Sequence, residues 1–394
     1  MSEASTAQTG QSLRSDDKLR EGVQSSIAAD DKDAAMQTAR ILLAEHPGLR
    51  SHRFLRKAAE SDLGQRIGLK PFKVALLSSF SIEFVHDALI AYGFANGFRL
   101  ELYQAGFGSF RQELLDPSSG LYASSPDAVI LAVEGDGWVP EAYGRYASSG
   151  EQGFSLVIED LAAEARSLLE SLRERSNAPI LVHNFAPPAW RHHGILDPKS
   201  ANGQGRLVQQ LNVALQSVAS ALADVHVVDY EALVYRHGAL QWYDARMRLY
   251  AKCPIAQPGL ACLAREYLKY FRSFAGFNKK CLVLDLDNTL WGGVVGEEGI
   301  DGIALGPTYP GNAFVEFQNH VLDLRRRGVI LAIASKNNLA DVDELFARHQ
   351  FMVLRKEHFA DMQVHWEPKS ESLSRIAKNL AIGLEHIVFA DDNP

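Results

Sequence analysis

The stretch KKCLVLDLDNTLWGGVVGEEG, residues 279–299, decides how this chain is read. From Cys281 the run is apolar until Asp285 and Asp287 break it, and Asn288, Thr289, Gly292 and Gly293 follow at once. An apolar run bounded by turn residues predicts a buried strand. Side chains alternate along a strand, so Val283, Asp285 and Asp287 are expected on one face and Leu284 and Leu286 on the other. Both carboxylates would then emerge at the carboxyl end of a parallel strand, where open α/β sheets bind ligands. Two like charges held there are costly unless a cation or a proton relieves them. Solvated aspartates in a surface turn are the alternative reading of the Asp-x-Asp pair taken alone.

Strand-like and helix-like segments alternate onward from Lys279. CLVLDLD is followed by the helix pattern NAFVEFQNHVLDLRRRG, then VILAIAS, LADVDELFARHQ, the strand-like FMVLR, SESLSRIAKNLAIG and HIVFADD. Gly328 and Gly383 stand where helix C-terminal glycines belong. Each later segment ends in a group suited to an anion or a hard cation. VILAIAS ends in Ser335, whose hydroxyl can hydrogen-bond a phosphate oxygen. EPKSESL puts Lys369 at a helix start, where ammonium and helix dipole both favour an anion. HIVFADDNP ends in Asp391 and Asp392, oxygen ligands of the kind Mg²⁺ takes.

The order DLDNT, Ser335, Lys369, Asp391-Asp392 resembles the four motifs of the haloacid dehalogenase (HAD) superfamily. Within it, LVLDLDNTLWGGVVGEEG with SKNN, EPKS and ADDNP is similar to the FkbH-like branch, over about residues 279–394. The resemblance implies Asp285 as nucleophile forming an aspartyl phosphate and Asp287 as general acid and then base. It also implies Thr289, Ser335 and Lys369 at the phosphoryl group, and Mg²⁺ held by Asp285, Asp287, Asp391 and Asp392. Phosphate monoesters are among the slowest bonds to hydrolyse, so positioning and charge neutralisation are what such a site must supply.

Between Thr289 and Ser335 there is room for a glycine-rich flap and one helix, and between Ser335 and Lys369 for one helix and one strand, so no cap domain is expected. A capless site suits a bulky substrate or one covered by a partner protein. The FkbH-like resemblance implies a role in polyketide assembly: the glyceryl unit of 1,3-bisphosphoglycerate is dephosphorylated and delivered to an acyl carrier protein. Acyl transfer calls for a nucleophile, for which a thiol is suited. Cys281 and Cys253 are the candidates, each with packing as the alternative; Cys262 lies in an amphipathic helix pattern.

Residues 72 to about 273 carry their own alternation: FKVALLSSFS, FRLELYQAGF, DAVILAVEG, APILVHNFA and VHVVDY, with helical spacing over 157–175 and 206–222. Alternating β and α segments predict a parallel sheet covered on both faces. This part resembles the SGNH hydrolase fold. Ser79 stands at the nucleophile turn, Gly106 in the second block, VEGDGW in place of the oxyanion-stabilising block, and Asp244 in YDARM. Met247 occupies the position of the histidine base; a second alignment puts Cys253-Pro254 there. Without a base a serine is a weak nucleophile, so a degenerate hydrolase fold used for binding or docking is expected. His183, His192 and His193 are read as solvated rather than as metal ligands.

The fold class expected is thus α/β. Two doubly wound parallel-sheet domains follow a small helical N-terminal segment: an SGNH/flavodoxin-like domain over 71–275, then a capless Rossmann-like HAD domain over 276–394, incomplete at its C-terminus. Residues 1–70 are read as a disordered tail of about eighteen residues and a helical lead-in. A hydrophobic content of 46% against 22% charged excludes disorder for the bulk. A formal net charge of −8 argues against nucleic-acid binding. Three cysteines are too few for a secreted disulfide framework. With no signal-peptide core and no stretch long enough to span a bilayer, a cytoplasmic location without membrane attachment is expected. Two readings compete with the carrier-protein-loading enzyme: a phosphatase of small metabolites without acyl transfer, and a non-catalytic docking scaffold.

Overall fold

The computed structural model describes residues 3–143 and 153–393, and the chain divides into two compact units, Met1–Phe271 and Arg272–Pro394.

Among the described residues the first unit holds five parallel strands: β1 (Lys70–Ser78), β2 (Phe98–Gln104), β3 (Ala128–Ala132), β4 (Ile180–His183) and β5 (Val225–Val228). Their order in the sheet is β2-β1-β3-β4-β5, the doubly wound flavodoxin-like order. Burial follows position. The central strands β3 and β4 are buried at every residue, whereas edge strand β2 is only partly so, which is why AVILA and ILVH read as unbroken apolar runs. Ala75, Leu77, Val129, Leu131, Ile180 and Val182 pack with Leu169, Leu172, Leu211 and Leu215 of the helices Gly153–Arg175 and Gln204–Ser220. On the other face Phe72 meets Phe271 of the helix Gln257–Phe274, ring centroids 5.1 Å apart.

The helical lead-in belongs to this unit: helices Lys32–Glu45 and Leu49–Glu60 pack on the helix Glu83–Ala95. The expected disordered tail is corrected from Glu3 onward, where a helix runs to Ala28. Low hydrophobicity bears on whether a segment packs, not on whether it is helical. EASTAQTGQSLRSDDK has no proline and several strong helix formers. Residues 1 and 2 lie outside the described residues.

The second unit holds four parallel strands, β6 (Cys281–Leu284), β7 (Ile330–Ser335), β8 (Phe359–Val364) and β9 (Ile387–Ala390), in the order β8-β7-β6-β9. Two apolar clusters show the alternation expected at β6. Leu284 and Leu286 pack with Leu331, Ile333, Val321 and Leu345, while Cys281 and Val283 pack with Ala332, Ala334 and Ile376. Helices Gly311–Arg326 and Leu339–Arg348 therefore cover one face and Lys369–Asn379 the other. Among the described residues no cap domain interrupts the unit.

Two expectations are corrected here. FMVLR, residues 351–355, is not a strand; the third strand is the more polar FADMQV at β8. Met352 and Leu354 are buried, and the N–H groups of Val353 and Leu354 donate to Oε1 of the fully buried Gln318. A side chain thus satisfies backbone groups that a sheet would otherwise take. Gly328 has the left-handed φ of +96° after its helix, but beyond Lys369–Asn379 that role falls to Ala381, φ +53°, and Gly383 is extended.

Candidate active site

β6 lies between β7 and β9, so the carboxyl ends of β6 and β9 face the point where the strand order reverses, the crevice in which such sheets bind ligands. The N–H of Asp285 continues the ladder by donating to Ala390 O at 2.9 Å, which sets Asp285 beside Asp391. Lys369, the first residue of its helix, reaches between them. Its Nζ donates to Asp285 Oδ2 at 2.8 Å and to Asp391 Oδ2 at 2.7 Å, and lies 5.7 Å from the centre of the Phe389 ring.

Partial burial alone would lower the Lys369 pKa, but its hydrogen bonds and charge pairing with the two carboxylates outweigh that and raise it. For Asp391, burial pushes upward, and the Lys369 ammonium together with the Asn393 N–H more than offsets it, so its carboxyl is held below the ordinary value.

Asp285 Oδ1 is buried and has no hydrogen-bond partner. One carboxylate oxygen from each of Asp285, Asp391 and Asp392 lies within 4.8 Å of the others. Three gathered carboxylates, two of them sharing one ammonium, leave an excess of negative charge. With an orphaned buried oxygen on one of the three, the residues fit a hard divalent cation.

Asp287 is placed differently. Its Oδ1 accepts from Trp291 Nε1 at 2.9 Å and from the Val295 N–H at 3.2 Å, and its Oδ2 accepts from Asn337 Nδ2 at 3.0 Å. Its side chain does not join the metal-capable cluster, a correction to the expected ligand set. The strand ends at Leu284, before either aspartate, so strand alternation no longer fixes the direction of Asp287, and Asn288, φ +55°, turns the chain after it. Ser335, at the end of β7, is buried and accepts from Asn337 Nδ2 at 3.2 Å. Thr289 Oγ1 is buried without a partner. The structure thus brings Asp285, Lys369, Asp391 and Asp392 together, and links Asp287 to Ser335 through Asn337. Neither Asn337 nor Trp291 was singled out from sequence, although both lie inside motifs that were.

The expected thiol nucleophiles are not placed for that role. Cys281 is at the amino end of β6, opposite Asp285, and is 1% exposed; burial, with the Asp361 charge, pushes its thiol up to about 11. Cys253 is equally buried, its Sγ donates to Ile255 O at 3.6 Å, and burial raises its pKa. A protonated, enclosed thiol is inert.

In the first unit, Ser79 follows β1 and Glu134 follows β3, at the reversal of that sheet's order. Ser79 Oγ accepts from the Glu134 N–H at 2.9 Å. Among the described residues no histidine hydrogen-bonds Ser79. Asp244 accepts from the Met247 N–H at 2.9 Å and caps its own helix, and Gly106 lies in the turn before Ser109.

Glu134, which sequence reasoning passed over within VEGDGW, accepts from Tyr230 OH at 2.5 Å; burial raises its carboxyl to about 7. His183 is buried, a correction to its expected solvation. Its ring stacks on Tyr230 with centroids 4.9 Å apart, and burial lowers its pKa to about 3. His192 and His193 are exposed.

Among the described residues no helix is long and apolar enough to cross a membrane.

Comparison with known proteins places these features. No curated protein matches the chain. Among solved structures, the N-terminal part of the protein BF1531 from Bacteroides fragilis, containing a phosphatase domain and complexed with Mg, is similar. Its TM-score is 0.74 at 27% identity, over 86% of this chain and 88% of that one. A catalytic mutant of Axe2, an acetylxylan esterase from Geobacillus stearothermophilus, matches with TM-score 0.35 and 16% identity over 51% of this chain and 94% of that one. The alpha/beta hydrolase LAE5 from the metagenome of Lake Arreo, Spain, matches with TM-score 0.32 and 13% identity over 53% and 96%. The model of the FkbH N-terminal domain matches residues 73–269. With half of its length matched in this way, the chain belongs to the FkbH-like family.

Proposed function

We propose that the second unit is a Mg²⁺-dependent phosphatase of the HAD type. The observation that carries this reading is the Lys369 ammonium held between Asp285 and Asp391 beside the unpartnered Asp285 Oδ1. The Mg-bound phosphatase domain of the Bacteroides fragilis relative supports it.

In this reading a carboxylate oxygen of Asp285 attacks phosphorus. The bond to the ester oxygen breaks with its electron pair leaving on that oxygen, and Asp287 supplies the proton that oxygen takes up. Asp287 then receives a proton from the water that hydrolyses the aspartyl phosphate, which frees Asp285 and inorganic phosphate. Lys369 and the Ser335 hydroxyl hold the phosphoryl oxygens, and Thr289, its Oγ1 without a protein partner, is close to the nucleophile in sequence and steadies the loop. Asp285, Asp391 and Asp392 would hold the cation, which offsets the charge of the phosphoryl group.

The finer reading is that the substrate is a phosphorylated three-carbon unit derived from 1,3-bisphosphoglycerate, and that its glyceryl group passes to an acyl carrier protein in polyketide assembly. It rests on the family resemblance. Because Cys253, Cys262 and Cys281 are all buried, the transfer we propose needs no thiol of this chain. The carrier's own thiol attacks the acyl phosphate carbonyl, forming the C–S bond as the C–O bond to phosphate breaks.

The test is phosphate release with Mg²⁺ from phosphorylated three-carbon acids, with and without a phosphopantetheinylated carrier protein. Release by the wild type that vanishes in Asp285→Asn supports the phosphatase. Equal release from that variant overturns it. A glyceryl adduct on the carrier, seen by intact mass, separates the transferase from a phosphatase that acts alone.

A further inference from the structure

Both oxygens of Asp287 are engaged, and unequally. Oδ1 accepts two N–H donors, from Trp291 and Val295, which fill the two lone-pair directions of a carboxylate oxygen. Oδ2 accepts one, from Asn337 Nδ2 at 3.0 Å, and keeps a lone pair open. The other hydrogen of the same amide nitrogen serves Ser335 Oγ at 3.2 Å. Because Ser335 accepts there, its own O–H is free to point elsewhere. Asn337 is only 5% exposed and Trp291 is fully buried, so neither donor is a mobile surface group. Asn337 Nδ2 is the donor in both bonds.

We infer that Asn337 is a positioning residue, assisted by Trp291. It confines the transferable proton of Asp287 to Oδ2, aims it at the leaving oxygen, and with its second hydrogen turns the Ser335 hydroxyl toward the phosphoryl group. This rests on the phosphatase reading above and adds to it the atom that carries the proton and the residue that directs it. Without the Asn337 donor, Oδ2 loses the contact that fixes its direction, while Oδ1 stays held by Trp291 and Val295. Proton delivery then suffers most where the departing oxygen needs it most.

The test compares wild type, Asn337→Asp and Trp291→Phe on two substrates with Mg²⁺. One is an aryl phosphate with an acidic leaving group such as 4-nitrophenol, and the other is a simple alkyl phosphate whose alkoxide cannot leave unprotonated. General acid catalysis is worth about 10²–10⁴-fold. Asn337→Asp should therefore lower kcat/KM on the alkyl phosphate by about 10²-fold and on the aryl phosphate several-fold at most. The shared part of the loss reports the Ser335 arm and the difference reports the Asp287 arm. Trp291→Phe keeps the ring and removes one N–H, and should shift the ratio in the same sense by less.

Equal losses on both substrates in variants with wild-type circular dichroism would overturn the proposal, as would no loss at all. If Asn337→Asp does not fold, Asn337→Ser and Trp291→Phe decide by the same ratio. A wild type that releases no phosphate from either substrate is a different outcome: it removes the phosphatase reading itself.

Discussion

The Lys369 ammonium lies 2.8 Å from Asp285 Oδ2, while Asp285 Oδ1 is buried with no partner at all. The two oxygens of one carboxylate are thus differentiated, one tied to a fixed cation and the other left for an incoming electrophile or metal. Lys369→Ala removes the tie and leaves Asp285 and Asp391 without the ammonium between them. By comparison with other donors that stabilise developing charge, turnover should fall about 10²–10³-fold. Steady-state phosphate release checks this, and turnover within a few-fold of wild type would show that the lysine is structural.

Mg²⁺ should stabilise the second unit in the absence of any substrate. A ligand at one hundred times its dissociation constant adds about 2.7 kcal/mol to the native state. Thermal melts should therefore move upward with Mg²⁺ and return with chelator. The shift should be lost in Asp391→Asn, which removes one of the three gathered carboxylates. Identical melts with and without Mg²⁺ would argue against a site here.

Stability of the first unit should respond to pH through two buried groups of opposite sign. His183 is lowered from 6.5 to about 3 by burial. The unfolded chain takes up its proton as pH falls below 6.5 and the folded chain does not, so stability drops by about 1.4 kcal/mol per pH unit until the folded value is reached. Glu134 is raised from 4.5 to about 7 by burial; its folded form keeps a proton the unfolded form gives up, so stability drops as pH rises through that interval. The slopes oppose each other between 4.5 and 6.5. Urea midpoints at pH 4, 6 and 8 should show Glu134→Gln gaining on wild type at pH 6 and further at pH 8, and His183→Phe gaining mainly at pH 4. Parallel curves for all three proteins would contradict the assignment.

All three thiols should resist alkylation in the native protein and react fully in urea, since each is buried. Cys281→Ala should leave phosphate release unchanged while costing stability, on the order of 1 kcal/mol for a small buried group. Mass mapping after iodoacetamide treatment gives the answer. Rapid native labelling of Cys253 would reopen it as an acyl carrier.

The strand–helix alternation was legible because central parallel strands are buried on both faces, and the polar residues at their ends stood out as candidates for the same reason. ILAIAS ending at Ser335, and CLVL leading to Asp285, say this outright. What escaped the reading has a common cause: the decisive partner lay far away in sequence. FMVLR is apolar enough for a strand, but Gln318, more than thirty residues earlier, takes its backbone donors. Asp287 follows the alternation of β6 on paper, but the strand ends at Leu284 and Asn337, fifty residues on, captures the carboxylate. Burial of Cys253 and His183 likewise depends on what packs over them, and no local pattern states that.

The pairing of β6 with β9 has a consequence for the order in which the site comes into being. Leu284 faces Ala390, so β6 and β9 are neighbours although more than a hundred residues separate them. Closing a loop of that length is among the late, entropically demanding steps of folding. A nascent chain can therefore complete β6, β7 and β8 and still lack Asp391. The gathering of Asp285 with Asp391 and Asp392 therefore waits on the pairing of β9 with β6.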